Sequence, residues 1–435
     1  MIAGGVIPGQ TVSVRVIKTR KGHIEGQVLD VLEPSPLEQP LPAHFQVYGG
    51  CKWLPIRYPE QLRIKNEQVL ECFSGLKARG LLAQTVWHPI LASPEIYGYR
   101  NKLEFSFGKY ISAKEEIHDE FRFGFHKQGE FDRIIDCDFC VLASDSVNEI
   151  FQEVNVLSRA SGIPTYDPRT NKGVWRHLVV REAKANGQKM LVYSLNTKDP
   201  DYDAAAFGKV WQKMSERSDI ATQILFHNTG LADIVAGEAE ILQGPGTIRE
   251  TLLGKSFEIR PKSFFQTNST GAEVLYSTAI SLVKSSGGTL LDLYAGTGTI
   301  GILLAHLFDR VRSVELVADS SADAIVNAGL NGVTNFEAIQ APVEKFLKDY
   351  LGRGETADTL VIDPPRDGMY PGTPADILAF RAREIIYVSC NPSTLVRDLD
   401  FFLAEGKYAL TDVVPVDMFP HTHHIETVVR LELRA

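Results

Sequence analysis

Residues 289–301, TLLDLYAGTGTIG, decide the fold. The apolar run Thr289-Leu-Leu passes through Asp292-Leu-Tyr294-Ala into Gly296-Thr-Gly298-Thr299-Ile-Gly301, and a helix is expected from Thr299. A strand that enters a Gly-x-Gly-x-x-Gly turn before a helix lets backbone approach a nucleotide-like ligand closely. Outward from this turn, from Pro261 to the C-terminus, apolar strands alternate with helical patterns: SVEL at 313–316, a helix near Ala322, TLVI at 359–362, EIIYVS at 384–389 and TVVRLEL at 427–433. The alternation predicts an α/β, Rossmann-like, doubly wound and mostly parallel sheet.

A bare strand-to-helix turn, a dinucleotide site and an S-adenosylmethionine site all fit the glycines. A dinucleotide needs the helix N-terminus free for its pyrophosphate, and Asp292 would repel that group. S-adenosylmethionine carries an ammonium instead, which an acid at the strand end can receive, so Asp292 favours this cofactor. Glu315, ending the next strand, is placed to accept both ribose hydroxyls.

Upstream, residues 9–32 alternate as two strands about a turn at Lys21-Gly22, followed by a linker carrying Pro34, Pro36, Pro40 and Pro42. Residues 59–79 repeat apolar side chains at helical spacing behind Pro59. From Tyr97 to about Arg260 the pattern is strand-rich, with one helix near Phe207 to Arg217. The divisions expected are a small β module at 1–40, a central β-rich domain at 41–260 and the α/β domain at 261–435. At 435 residues, two or three cores are expected. Hydrophobic residues at 44% and charged residues at 23% exclude collagen, coiled coil and global disorder.

The cysteines at 51, 72, 137, 140 and 390 are odd in number and scattered, unlike a disulfide framework, and imply a reducing cytoplasm. No signal peptide is read at the N-terminus, and the most apolar stretch is interrupted by Asp292 and glycines, so no membrane is implied. The net charge of −9 argues against a nucleic-acid partner, but residues 151–190 hold seven Lys or Arg (159, 169, 172, 176, 181, 184, 189) against three acids (153, 167, 182). That local excess would suit phosphate contacts if it formed one face.

Two further strand ends carry reactive groups. TLVI runs into Asp363-Pro-Pro-Arg366, with Arg366 where amine methyltransferases place a stacking aromatic. EIIYVS runs into Cys390-Asn-Pro392-Ser-Thr394, and a helix starting near Thr394 would lower the pKa of a nearby thiol. A buried strand-end cysteine without chemistry is the alternative. His421-Thr-His423-His424-Ile-Glu426 precedes the last strand; with no second ligand cluster, zinc is not expected. Glu426 is either a base or a solvated strand-end carboxylate.

Lys262-Ser-Phe-Phe-Gln266-Thr-Asn268, Asp292-Leu-Tyr-Ala-Gly-Thr-Gly298, Asp363-Pro-Pro-Arg366, Ser389-Cys-Asn-Pro392 and His423-His-Ile-Glu-Thr-Val428 occur in this order. So ordered, the chain resembles the RNA uracil-5-methyltransferase family. The likeness extends upstream through Gly49-Gly-Cys51, Tyr58-Pro-Glu-Gln61-Leu and Tyr99-Arg-Asn-Lys-Leu103, and residues 1–40 resemble the family's TRAM module, an oligonucleotide-binding-type barrel whose leading strand is expected to be missing here.

The resemblance implies that Cys390 is a nucleophile that adds to carbon-6 of uracil and that Glu426 is the base that removes the carbon-5 proton. It implies that Gln266, Tyr294, Gly296, Gly298, Thr299, Glu315 and Asp363 hold S-adenosylmethionine, Thr299 standing where relatives often have Asn. The partner implied is RNA, ribosomal RNA first and tRNA second, with no protein partner. Ribosomal members often hold an iron–sulfur cluster on four cysteines; here the expected positions are Pro42, Tyr48, Cys51 and Cys140, with Cys137 extra, so an intact cluster is not expected. Two rivals remain, a non-catalytic RNA-binding or folding factor and an RNA cytosine-5 methyltransferase, the latter disfavoured because Asp363-Pro-Pro-Arg366 carries no Cys. A nicotinamide oxidoreductase rests on the glycines alone.

Overall fold

In the computed structural model of the chain, residues 2–3, 5–20, 22–41, 50–112, 117–127 and 130–434 are described. The first strands, β1 (Ile2–Ala3), β2 (Thr11–Arg20) and β3 (His23–Glu33), form one sheet in the order β1-β3-β2. Gly22, at φ 99°, supplies the left-handed backbone of the β2–β3 turn. Val16, Ile17, Leu29, Val31 and Leu32 stay exposed, as expected of a sheet too small to bury a core.

The helix expected over 59–79 is divided in two, α1 (Tyr58–Cys72) and α2 (Ser74–Ala78), because Phe73 flattens to φ −82°, ψ −3° between them. A short strand, β4 (Val86–Trp87), follows.

A central seven-stranded sheet comprises β5 (Lys102–Ser112), β6 (Ile117–Lys127), β7 (Glu130–Asp136), β8 (Trp175–Glu182), β9 (Lys189–Leu195), β10 (Ile220–His227) and β11 (Glu238–Gln243), in the order β11-β10-β9-β8-β5-β6-β7. Two helices, α3 (Asp145–Ala160) and α4 (Ala204–Met214), share its apolar core. The second lies where sequence placed it. The first adds to the strand-rich reading: Ser144 caps it by accepting from the Val147 amide, and Val147, Ile150, Phe151 and Val154 bury one helical face against Phe105 and Phe123.

Next come the hairpin β12 (Ile248–Leu252) and β13 (Lys255–Ile259) and helix α5 (Ser269–Leu282). The α/β unit then runs β14 (Thr289–Leu293), α6 (Thr299–Leu304), β15 (Arg310–Glu315), α7 (Ala318–Leu330), β16 (Phe336–Gln340), α8 (Val343–Gly352), β17 (Thr359–Ile362), α9 (Thr373–Phe380), β18 (Glu384–Ser389), α10 (Pro392–Ala404), β19 (Tyr408–Val416) and β20 (Glu426–Leu433). The strands form one eight-stranded sheet, β16-β15-β14-β17-β18-β20-β19-β4. From β16 to β18 it is parallel; β20 runs antiparallel between β18 and β19.

Successive side chains alternate between two cores: Leu290, Val361, Ile386 and Val428 face one, while Leu291, Leu360, Ile385 and Val429 face the other. Burial on both faces is why these strands read as continuous apolar runs. The order reverses at β14, flanked by β15 and β17, which is where open α/β sheets place ligands. Upstream residues enter this unit too, since β4 lengthens its sheet and Val69 and Phe73 of α1 and its exit share a core with Leu395 and Leu399 of α10. No helix among the described residues is long and apolar enough to cross a membrane.

Candidate active site

A cavity of about 760 Å³ opens at the carboxyl edge of β14, β15, β17 and β18. Its wall includes Gln266, Tyr294, Gly296, Thr299, Glu315, Asp363, Cys390 and Glu426, eight of the nine residues to which the resemblance gives a catalytic or cofactor-binding role. Gly298 lies outside the wall. At φ 75° it caps α6, and a side-chain carbon there would come within 2.9 Å of Ala324 and Phe336. It serves close packing of the turn against α7 and the sheet.

The Gly-rich turn builds one half of the cavity. Asp292, buried at the end of β14, accepts through Oδ2 from the Gly301 amide (3.0 Å) and Ser313 hydroxyl (2.8 Å). Its Oδ1 is buried without a hydrogen-bond partner, and burial pushes the carboxyl up to about 6. Such an acceptor suits a cationic ligand group. Glu315 accepts from the Gly296 amide (2.9 Å) and the Val317 amide (2.8 Å), so both oxygens are fixed in direction while keeping lone pairs free. Tyr294 adopts φ 61°, a left-handed backbone uncommon for a tyrosine. The Gln266 carbonyl accepts from the Asn101 side chain (2.9 Å).

The other half carries the reactive groups. Asp363 follows β17, Cys390 follows β18 and Glu426 begins β20. Ser389 pairs with Thr427 at the end of the antiparallel ladder, and Cys390 and Glu426 lie one residue beyond that pair on the two segments. Burial, then Asp363, drives Glu426 well above the ordinary carboxylate range, and Arg366 opposes this. Asp363 rises to about 7 through burial and then Asp292. Burial, followed by Glu426 and Asp363, pushes the Cys390 thiol up to about 11.

The last value corrects the sequence expectation. The helix α10 does begin at Pro392, but its cap, Asn391, already accepts from the Ser393 amide (3.1 Å), and burial with two carboxyl groups outweighs the helix terminus. Without ligand, Cys390 is therefore a thiol at neutral pH. Its alkylation by iodoacetamide, followed by peptide mass spectrometry, is expected to be slow at pH 7.5 and to rise about tenfold per pH unit towards pH 10. Reaction at pH 7.5 as fast as an exposed thiol would contradict this.

The buried cysteines, the histidines and the basic run lie as follows. Cys51, Cys137 and Cys140 are buried in one apolar cluster, where burial and the neighbouring Cys140 push Cys51 up to about 12. Pro42 and Tyr48 lie outside the described residues, and among the described ones no group of three His, Cys, Asp or Glu is arranged to hold a metal ion. A four-thiolate cluster does not fit these residues. The histidines separate: His424 lines the cavity and stands 3.2 Å from an Arg366 nitrogen, whereas His421 is fully buried against Gln61. The basic run at 151–190 does not form one outer face. Arg176, Arg181 and Lys189 are buried, Lys184 reaches Glu182 and the Gly98 carbonyl, and Arg159 and Arg169 pair with Asp136 and Asp132.

Sequence reasoning did not single out Arg100, Phe264 and Tyr276 as lining residues, although the first two lie within motifs it quoted. Tyr276 sits on the buried face of α5, where only packing distinguishes a cavity residue from a core one.

A family model for tRNA (uracil-5-)-methyltransferase matches residues 251–434. An uncharacterized RNA methyltransferase of Caldanaerobacter subterraneus is 37% identical over 99% of the chain and 93% of its own length. Another, from Porphyromonas gingivalis, is 36% identical over 98% of the chain and 93% of its own length. Among solved structures, the Pyrococcus abyssi tRNA (uracil-54, C5)-methyltransferase in complex with S-adenosyl-L-homocysteine superposes with a TM-score of 0.76 at 26% identity, covering 99% of this chain and 95% of that one.

Proposed function

The chain belongs to the RNA uracil-5-methyltransferase family, whose enzymes depend on S-adenosylmethionine, and on that premise we propose that it methylates carbon-5 of a uridine in RNA through a covalent adduct between Cys390 and carbon-6 of the base. The observation that supports this most is Cys390, just past β18, and Glu426, at the start of β20, lining the same cavity as the Gly-rich turn.

The residues present suit the cofactor. Glu315 would take the ribose hydroxyls, the unpartnered oxygen of Asp292 the ammonium, and Gln266, Tyr294, Gly296, Thr299 and Asp363 the remaining wall. When bound, the cofactor supplies an electrophilic methyl group on a sulfonium. Uracil carbon-5 is too weakly nucleophilic to use it directly. Addition of the Cys390 sulfur to carbon-6, with loss of the thiol proton, moves electron density to carbon-5. After carbon-5 is methylated, Glu426 takes the remaining hydrogen there as a proton, the carbon-5–carbon-6 double bond re-forms, and the sulfur leaves and regains its proton. One proton is released per turnover. The uridine must leave any stack to reach the sheet edge.

We read residues 1–40 as a TRAM-like module, 41–260 as an RNA-binding domain and 261–435 as the methyltransferase domain. Ribosomal RNA is our first reading of the substrate, carried by Tyr99-Arg100-Asn101-Lys102, which resembles the ribosomal branch of the family. A tRNA is the second, favoured by the likeness to the Pyrococcus abyssi enzyme over the whole chain. Mass spectrometry of ribosomal RNA and tRNA digests from a strain lacking the gene tests both: loss of one 5-methyluridine from ribosomal RNA supports the first, loss from tRNA the second, and loss from neither contradicts the activity.

The turn offers a separate test. A side-chain carbon at Gly301 would lie 2.6 Å from the Ser313 hydroxyl and 2.7 Å from Asp292. Gly301→Ala is expected to cost about 1–3 kcal/mol of stability through overpacking and to weaken S-adenosylhomocysteine binding by displacing Asp292, both measurable by calorimetry. Unchanged affinity would contradict the role given to Asp292.

A further inference from the structure

The loop 417–425 joins β19 to β20 and leads directly into Glu426, the first residue of β20. Phe419, Thr422 and His424 of this loop line the cavity. Its shape is not set by the loop alone: His421 sits at φ 65°, a left-handed backbone uncommon outside glycine, and buried side chains of other segments grip the loop around it. Those side chains come mostly from residues far upstream.

Gln61 of α1 is fully buried and binds both ends of His421: its Oε1 accepts from the His421 amide (2.8 Å), and its Nε2 lies 3.0 Å from the ring Nδ1. The Gln61 Nε2 also donates to the Ile56 carbonyl (2.7 Å) and the Trp53 carbonyl (3.1 Å). One turn further along α1, Lys65 is also fully buried; its Nζ donates to Asp417 Oδ1 (2.6 Å) and to the Phe419 carbonyl (3.1 Å). The Tyr99 hydroxyl donates to the Pro420 carbonyl (2.9 Å), and Tyr97 stacks on the His421 ring. The Tyr58-Pro-Glu-Gln61 and Tyr99-Arg-Asn-Lys motifs thus converge on a loop more than 300 residues away, and neither Gln61 nor Lys65 lines the cavity.

We propose that Gln61 and Lys65 are positioning residues for proton removal, holding the loop 417–425 in the one shape that presents Glu426 to the carbon-5 hydrogen. The proposal rests on the covalent reading above. Releasing the loop leaves Cys390, just past β18, and the Gly-rich turn where they are, so addition to the base and methyl transfer continue. Elimination then becomes slow, and enzyme accumulates bound to RNA through Cys390.

The test compares the full chain with Gln61→Leu, which removes both bonds to His421 without adding charge, and with Lys65→Met combined with Asp417→Leu. The double variant exchanges a buried ion pair for apolar side chains of similar size, a change that usually preserves folding. Each is assayed with S-adenosylmethionine and RNA for kcat, for KM, for S-adenosylhomocysteine affinity, for melting temperature and for protein in covalent complex with RNA on a denaturing gel, with Glu426→Gln alongside. The expected result is a tenfold or greater fall in kcat, cofactor-product affinity within twofold of the parent, and an adduct band as in Glu426→Gln. A kcat within twofold of the parent in both variants would overturn the proposal. So would lost activity without adduct, accompanied by a lowered melting temperature and weakened affinity. If Glu426→Gln traps adduct and the other two do not, the covalent reading stands and this inference falls. If Glu426→Gln itself traps none, both fall.

Discussion

Cys390→Ala is expected to abolish 5-methyluridine formation, a loss of roughly 10⁴-fold or more, because carbon-5 of uracil has no other route to sufficient nucleophilicity. S-adenosylhomocysteine affinity should stay within about twofold, since the cofactor half of the cavity is built by the Gly-rich turn and Glu315 while Cys390 stands at the edge of β18. Cys390→Ser should behave alike, as a hydroxyl is a far weaker nucleophile and harder to ionise. Calorimetry with S-adenosylhomocysteine and a labelled-methyl assay separate the two quantities. Retention of more than a few per cent of the parent rate by the alanine variant would exclude sulfur addition as an obligatory step.

Glu426→Gln produces the second large effect, and of a different kind. Adduct formation needs only sulfur and cofactor; release needs a base at carbon-5. Turnover should therefore fall by about 10²–10⁴-fold while RNA becomes bound to the protein through Cys390, visible as a slower band on a denaturing gel that Cys390→Ala removes. The pH dependence follows from the same groups. Both carboxyl groups beside the thiol are held above their ordinary values by burial, Asp363 at about 7 and Glu426 well above the ordinary carboxylate range, and the thiol is at about 11. Ionised base and thiolate are thus scarce in acid, and the turnover rate should climb as pH rises from 6 to 9. A flat profile in that interval, or one falling with pH, would show that the bound complex resets these groups.

The Gly-rich turn, the parallel order around β14 and the three strand-end residues Asp363, Cys390 and Glu426 were legible in the sequence for one physical reason. Strands buried on both faces write themselves as apolar runs, and the residue after a parallel run, or at the start of the antiparallel run that ends the chain, falls at the sheet edge where ligands bind. Helix α3 was less legible because its helical spacing, Val147, Ile150, Phe151 and Val154, sits among strands on both sides. The basic run at 151–190 misleads because a count of charges says nothing of direction: Arg176 is turned inward onto the Asn228 and Gly230 carbonyls, and Arg181 onto that of Ser263. The thiol pKa of Cys390 was misjudged because the helix terminus is visible in sequence while the two buried carboxyl neighbours come from other strands. The grip of Gln61 and Lys65 on the loop before Glu426 is likewise a contact between distant segments, announced by a short motif without its partner.

The most direct test of the central claim incubates the purified chain with S-adenosylmethionine bearing a trideuterated methyl group and total RNA from a strain lacking the gene, followed by nucleoside mass spectrometry. The account predicts label in 5-methyluridine, absent when Cys390→Ala replaces the parent. Label confined to 5-methylcytidine, or no label in any nucleoside, would contradict it.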